Sequence, residues 1–560
     1  MTRDPERTPT ATSRRASRRP WPSRIAAASA ILLLVAAAVA VVGLWFIPGP
    51  VCCGPPETFK ILAGTESRSL EPLIRDYGKG HHLNVEMTYM GSVDIMRELD
   101  NGQNSRYDAV WPANSLWIVL GDSRHVVTNS ASIMRSPVVF GVKKSVAERL
   151  GWIGTAVSVD DILAATESGR LRFMMTSASQ SDSGAAAYLG FLYAFAGHPD
   201  VLTSADLQDP AAQAKIKRIL GATGGTAGDS DALKKQFLDR YDAFDAMVND
   251  ESAIIETNQA LVQSGREPLF AIYPVDGTSI ADWPFALIDK QDPRKEATFR
   301  GLKAHLLSSG VQNALTARGR RTGIGVNSDP RTTDARVFNP DWGIDTARLL
   351  TPIRLPEAAV IREALNLYQT SFRKPSLTVW ALDFSGSMKS GDGQTQVKAA
   401  MPQLLDRGTA SQLLLQASPE DVTVVIPFDD RVLDVWIVRG NDGSQLQQLD
   451  ARISGMGADG GTDIYSAVIR GLDAIQTETT VGRFPAIVLM TDGKSEDGKT
   501  FADLQRRVAE NAPGNVPIFA ITFGDASDKQ LVEITTLSSG ELFDGRVDLM
   551  SAFRKAMGYA

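Results

Sequence analysis

Leu377-Thr378-Val379-Trp380-Ala381-Leu382 runs directly into Asp383-Phe384-Ser385-Gly386-Ser387. The first six residues form a continuous apolar and β-branched run, the pattern of a strand buried on both faces. The next five place a carboxylate and two hydroxyls at alternate positions, where a strand hands over to a helix. Two later stretches end in the same kind of loop. Gly460-Gly461-Thr462-Asp463 opens a helix, and Ala486-Ile487-Val488-Leu489-Met490 ends in Thr491-Asp492-Gly493. Further strands are expected at Val422–Phe428, Val435–Val438 and Val516–Phe523. Strand and helix therefore alternate through 375–560, which predicts an α/β domain with a parallel sheet. The three loops would converge at the C-terminal edge of that sheet.

The donor set of these loops indicates their chemistry. Carboxylate and hydroxyl oxygens are hard ligands, suited to an octahedral Mg²⁺ that keeps part of its water, with Mn²⁺ or Ca²⁺ as variants. Asp383 and Asp492 supply two negative charges; Ser385, Ser387 and Thr462 add neutral oxygens. One of the aspartates can act through water. A dipositive ion held this way is charge-balanced but coordinatively unsaturated, so an external Asp or Glu carboxylate can complete its shell. Catalytic readings fail on inventory. Residues 375–560 contain neither His nor Cys, so no Ser-His-Asp or Cys-His triad can be built within them. An aspartate-nucleophile phosphatase needs a second Asp where Ser385 stands, and Lys494 breaks an EF-hand reading of Asp492–Gly498. The expectation is a binding domain, not an enzyme.

This segment resembles the von Willebrand factor A (VWA) domain with its metal-ion-dependent adhesion site (MIDAS). The family's Asp-x-Ser-x-Ser falls on Asp383, Ser385 and Ser387, its Thr on Thr462 and its Asp before Gly on Asp492. The resemblance implies a doubly wound, Rossmann-like fold and metal-dependent contact with an acidic residue of a protein partner.

Residues 57–345 repeat another unit: short strand, small-residue turn, amphipathic helix. Lys60–Gly64 leads into Thr65-Glu66-Ser67 and a helix at Leu70–Tyr77. Leu83–Tyr89 leads into Gly91-Ser92 and a helix at Val93–Leu99, and Tyr107–Trp111 into Asn114-Ser115. Any one of these hydroxyl or amide residues is an ordinary N-cap. Their recurrence at strand C-terminal ends suggests a ligand site built from helix N-termini. The pattern resembles the two-lobed periplasmic-type solute-binding proteins of ABC transporters. Ser136–Val142 is like the family's first crossing between lobes. Phe173–Ser177 follows and runs into Ser179–Ala187, and Phe270–Ile288 is like the return crossing. By resemblance, the solute would sit between lobes near Thr65, Ser67, Ser92, Asn114, Ser181, Ser183 and Tyr273, with hinge closure. The hydroxyls suit an oxyanion or another small polar solute; Glu66, Asp182 and Asp276 in the same loops suit a cation or amine. Both remain open at this point. Gly224-Gly225 lacks the Gly-Lys-Ser/Thr of a phosphate loop, and the five His residues form no ligand pair.

Ahead of these domains lies a third kind of segment. Residues 1–24 carry seven Arg against Asp4 and Glu6, a net charge of +5, which leaves −12 of the total −7 for the remainder. Ile25–Ile47 follows without a charge; as a helix at ~1.5 Å per residue it reaches roughly 35 Å, enough to span a bilayer. Trp45 and Phe46 suit the interface, and Pro48 and Pro50 end the run. The arginines place the N-terminus in the cytoplasm and everything after the span outside. A cleaved signal peptide, with Ala38-Val39-Ala40 as its site, is the competing reading. The role of Cys52-Cys53 stays open.

The chain as a whole agrees with this division. Its 560 residues exceed a single core, so about two to four domains are expected. At 43% hydrophobic and 22% charged it is ordinary globular material, and a mean hydropathy of −0.10 excludes a multi-span membrane protein. Two Cys exclude a disulfide scaffold and thiolate zinc sites, and the negative charge argues against nucleic acid. The expected organisation is a basic tail (1–24), a span (25–47), a solute-binding domain (57–345), a linker and helix (346–374) and a VWA domain (375–560). The expected function is a single-pass, extracytoplasmic binding protein that joins solute capture to metal-dependent adhesion or sensing. The alternatives are a transporter's delivery subunit tethered through its VWA domain, or a chaperone-like partner of a MoxR-type ATPase.

Overall fold

The computed structural model describes residues 56–322, 334–348, 350, 352–390, 392–495, 498–510, 516–524 and 528–558. The expected basic tail, the Ile25–Ile47 span and Cys52-Cys53 lie outside the described residues. Among those described, no helix is long and apolar enough to cross a membrane.

Among the described residues three sheets organise the chain. The first contains β1 (Glu57–Gly64), β2 (Leu83–Met90), β3 (Ala109–Trp111) and β4 (Val127–Ser132). The chain then crosses to a second sheet through β5 (Ser136–Lys143), β6 (Phe173–Thr176), β7 (Thr226–Ala227), β8 (Ala246–Asp250), β9 (Leu269–Ile272) and β10 (Ile280–Ala281). It returns in β11 (Pro284–Ile288), which inserts antiparallel between β3 and β4, giving the order β2-β1-β3-β11-β4. The second sheet has the order β10-β5-β8-β6-β7, with β9 also on β5. Two crossings between two sheets make the two lobes, and both crossings fall where the sequence predicts them.

Parallel pairing of β1 with β2 and β3 requires crossover helices, so the β1 and β2 ends open onto helix starts at the lobe interface. The early helix starts one residue later than expected and runs further: Thr65–Leu70 is a 3₁₀ turn, and the α-helix spans Glu71–Gly80 with Pro72 in its first turn. Proline fits there because the first turn has no intrahelical acceptor for its missing N–H.

The third sheet holds β12 (Ser376–Asp383), β13 (Val422–Phe428), β14 (Trp436–Arg439), β15 (Phe484–Thr491), β16 (Ile518–Thr522) and β17 (Leu542–Asp544). Its order is β14-β13-β12-β15-β16-β17. All pairs are parallel except β13–β14. Every residue of β12 is buried, as its uninterrupted apolar run requires. The order reverses at β12, so the sheet is doubly wound and its switch point lies beside Asp383.

The expected helix at 356–371 is Ala358–Leu367, continued by a π-helical turn at Tyr368–Phe372. Its apolar face, Ile361, Ala364, Leu365 and Tyr368, joins the core of the second lobe. Tyr188 donates to the Ala364 carbonyl at 2.8 Å, and Arg362 donates to the Leu120 carbonyl in the first lobe at 3.2 Å. The third domain packs on the second lobe as well: Gln180 Nε2 donates to the carbonyls of Leu413 and Leu414 at 3.3 and 3.1 Å. The helix read as part of a linker is thus a wedge that buries one face and touches both lobes.

Candidate functional site

Asp383 is the last residue of β12 and is fully buried. Its Oδ1 accepts the backbone N–H of Ser385 at 2.7 Å, which turns the chain sharply after the strand. Its Oδ2 accepts the Thr491 hydroxyl from the end of β15. Ser385 Oγ lies 3.1 Å from Ser387 Oγ, and Ser387 Oγ donates to Asp492 Oδ1 at 2.8 Å. Thr462 arrives on the loop ahead of the helix Ile464–Thr477, whose N-cap Asp463 accepts from Ser466 N. A Cβ at Gly493 would stand 3.0 Å from Thr462 Oγ1 and 3.4 Å from Asp383 Oδ2. The missing side chain is what lets those two oxygens flank the same point.

The structure therefore brings Asp383, Ser385, Ser387, Thr462 and Asp492 to one end of one sheet. Burial pushes the Asp383 carboxyl up to about 6; the Ser385 and Thr491 hydrogen bonds oppose the rise and Asp492 adds to it. Among the described residues no three His, Cys, Asp or Glu side chains converge as a metal-ligand set. The cluster has two carboxylates, and its other donors are hydroxyls. That set fits a hard dication, and the cradle left by Gly493 gives it room. Sequence reasoning overlooked Thr491, which orients Asp383, although it stands beside Asp492. It also overlooked Asp429 at the end of β13, whose carbonyl accepts Asp463 N at 2.8 Å; burial raises its carboxyl.

The lobe interface separates the other predicted residues into groups. Thr65 and Ser92 line one cavity with Glu66 from the first lobe, and with Gln180 and Asp229 from the second. Asn114 lines another with Asp282 and Ile353; its Oδ1 caps its own helix by accepting Leu116 N at 2.9 Å. Ser67 is fully buried and its hydroxyl has no partner. Ser181 and Ser183 belong to a buried hydroxyl chain, with Ser183 2.9 Å from Thr176 and 3.1 Å from Ser230. Tyr273 is elsewhere. It donates to Glu251, which is paired with the buried Arg321 at 2.7 Å, and it lines a separate cavity. Asp276 caps the helix Val159–Glu167 by accepting Val159 N at 2.9 Å. Asp182 stays at the interface, joined by Asp94, Asp229 and Asp250, which the sequence reading did not single out.

Residues 60–321 match the family model of bacterial extracellular solute-binding proteins, and residues 379–555 match that of the von Willebrand factor type A domain. Inter-alpha-trypsin inhibitor heavy chain H6 of Homo sapiens is 30% identical over 172 residues, which are 29% of this chain and 12% of that protein. The chain thus spans a small part of that relative's length. Among solved structures, a solute-binding protein from Agrobacterium radiobacter in complex with ribitol is similar at 12% identity, covering 56% of this chain and 94% of its own, with a TM-score of 0.42. Iron-bound HitA from Pseudomonas aeruginosa is similar at 14% identity, covering 56% and 98%, with a TM-score of 0.41. A von Willebrand factor type A protein from Catenulispora acidiphila is similar at 20% identity, covering 34% and 43%, with a TM-score of 0.28.

Proposed function

We propose that this chain, a bacterial extracellular solute-binding domain joined to a von Willebrand factor type A domain, is a membrane-anchored extracytoplasmic receptor. In this reading it binds and does not catalyse. Its first domain captures a small polar solute between two lobes, and its second holds Mg²⁺ through Asp383, Ser385, Ser387, Thr462 and Asp492. The metal, when bound, supplies an open coordination position for an acidic side chain of a protein partner.

The observation that carries the reading is the oxygen-only cluster at the switch point of the third sheet. Two carboxylates from different strand ends are brought together there, and two serines bridge them through hydrogen bonds. Holding like charges side by side and partly desolvated is unfavourable without a cation between them.

Calorimetric titration of the full chain with MgCl₂ tests this. One saturable site is expected, lost in Asp383→Ala and Asp492→Ala while circular dichroism stays unchanged. An unaltered titration in both variants would reject the metal reading. Protease digestion of intact cells tests the placement: both domains are expected to be cleaved from outside, and protection of both would reject it.

A further inference from the structure

We propose that the lobe interface of the solute-binding domain takes an organic cation, an amine or a guanidinium, and that Arg554 of the C-terminal helix Gly545–Met557 is its built-in competitor. This rests on the solute-binding reading above and assigns that site its ligand class.

The interface is acidic on both sides. Glu66 and Asp94 come from the first lobe, and Asp182, Asp229 and Asp250 from the second. The placement of the second-lobe acids matters most. Asp182 is the first residue of the helix Asp182–Phe195, Asp229 is the N-cap of Ser230–Asp239, and Asp250 is the N-cap of Glu251–Gln263. Asp94 lies in the first turn of Ser92–Leu99. A helix N-terminus normally attracts an anion. Here the chain already supplies a carboxylate to each one, so an oxyanion would enter against negative charge.

The buried acids are also under-compensated: Arg320 tempers Asp250 but does not form an ion pair with it. Asp182 and Asp250 are each only 2% exposed, and among the described residues no ion pair reaches them or Glu66. Oδ1 of Asp182, Oδ1 of Asp250 and the Ser67 hydroxyl have no hydrogen-bond partner. The Trp117 indole and the Arg320 guanidinium that face these acids leave nitrogens unpartnered as well, so the buried acceptors here still have capacity for a donor that reaches them. Burial and mutual repulsion raise the carboxyls of all three acids: Asp250 adds to the rise at Asp182, and Glu66 to that at Asp250. The Ser92 hydroxyl and the Trp117 indole, both from the first lobe, temper Asp182. The missing partner is an extended one, since no three of these groups converge as a metal-ligand set among the described residues. An ammonium or guanidinium offers several donors spread over a few ångström.

The third domain already brings such a group. Ser551, Arg554 and Lys555 line the same cavity as Thr65, Glu66 and Ser92. Arg554 is 6% exposed and ion-paired with Asp94 across 460 residues of sequence. Gln403 Oε1 accepts from its other terminal nitrogen at 3.2 Å. A guanidinium from the VWA domain thus occupies the mouth of the solute cleft. A solute of the same charge would compete with it and loosen the helix that bears it.

The test is calorimetric titration of the full chain and its variants with agmatine and putrescine, against sodium sulfate, sodium phosphate and ribitol. Saturable binding of agmatine or putrescine is expected, weakened at least tenfold by Asp182→Asn and strengthened several-fold by Arg554→Ala. Lys555→Ala, on the same helix, controls for helix loss and is expected to change affinity less than Arg554→Ala. Binding of sulfate, phosphate or ribitol without the amines would overturn the cation assignment and leave solute capture standing. Absence of binding by every probe, in wild type and in Arg554→Ala, would count against both. Equal amine affinity in wild type and Arg554→Ala would overturn the competitor role.

Discussion

Ser387 Oγ donates to Asp492 Oδ1 at 2.8 Å and so ties together two loops 105 residues apart in sequence. The bond joins the C-terminal ends of neighbouring parallel strands, β12 and β15, so donor geometry is held by the sheet and not by loop conformation. A dication entering such a preorganised set stabilises the fold by linkage, about 2.7 kcal/mol at a hundredfold excess over Kd. The expected result is a Tm of the full chain that rises with MgCl₂ and returns with chelator. Ser387→Ala is expected to shrink that rise, because it removes a donor and one hydrogen bond that positions Asp492.

Asp421 anchors the start of the same sheet. Its carboxylate accepts the backbone N–H groups of Ser376 and Ser418, each at 2.7 Å, and pairs with Arg373 just after the wedge helix. Both side chains are largely buried. Removing one partner of a buried, fully bonded pair leaves the other uncompensated, and Asp421→Ala is expected to cost about 3–5 kcal/mol. Urea denaturation measures it, and a loss within error of zero would contradict the anchoring role.

A pH dependence follows from the lobe interface. Burial and repulsion push Asp182 up to about 7 and Asp250 up to about 8, against an ordinary 3.8. Glu66, Glu256 and Arg320 face Asp250; Asp250 and Asp282 face Asp182. The folded state holds these protons where the unfolded chain has released them. Stability from the two groups is therefore fully present below about pH 4 and lost as pH rises through 7 and 8. Without added amine, Asp182→Asn/Asp250→Asn is expected to have a flatter urea midpoint between pH 5 and pH 8 than wild type. Parallel profiles would contradict the assignment.

Much of this architecture is legible in sequence. Fully buried parallel strands read as uninterrupted apolar runs, so β12, β13 and β15 stand out, and the Asp and Ser positions that follow inherit a known place at the sheet edge. Tyr273 shows where the reading runs out. A Tyr at the end of a crossing strand suits a ligand pocket, but its partner Glu251 is 22 residues away and was unremarkable in sequence. Arg554 was illegible for a stronger reason. Its meaning comes from Asp94, and no periodicity in a C-terminal amphipathic helix reveals which distant surface it will meet.

That helix is held by an aromatic contact as well as by charge. Phe553 is fully buried and stacks on Trp380 of β12, with ring centroids 4.9 Å apart. Truncating a buried Phe typically costs about 3–5 kcal/mol. Phe553→Ala is expected to lose that much by urea denaturation and to expose the helix to limited proteolysis. Arg554→Ala is expected to cost less, because the Phe553 stack remains.

Gly524 offers a separation of local strain from site geometry. It sits at φ +57, two residues after the end of β16, and a Cβ there would stand 3.0 Å from Asp492 Cβ and 3.5 Å from its Oδ2. Gly482 has φ +76 and open space around its Cβ position. Alanine in the left-handed region costs about 1–2 kcal/mol at either site. Only at Gly524 does the new methyl also press on a candidate metal ligand. Displaced outer-shell support typically lowers metal affinity 10- to 100-fold, so Gly524→Ala is expected to weaken Mg²⁺ binding about tenfold. Gly482→Ala is expected to lose comparable stability with Mg²⁺ affinity unchanged. Equal Mg²⁺ affinities in the two variants would show that Asp492 does not depend on this contact.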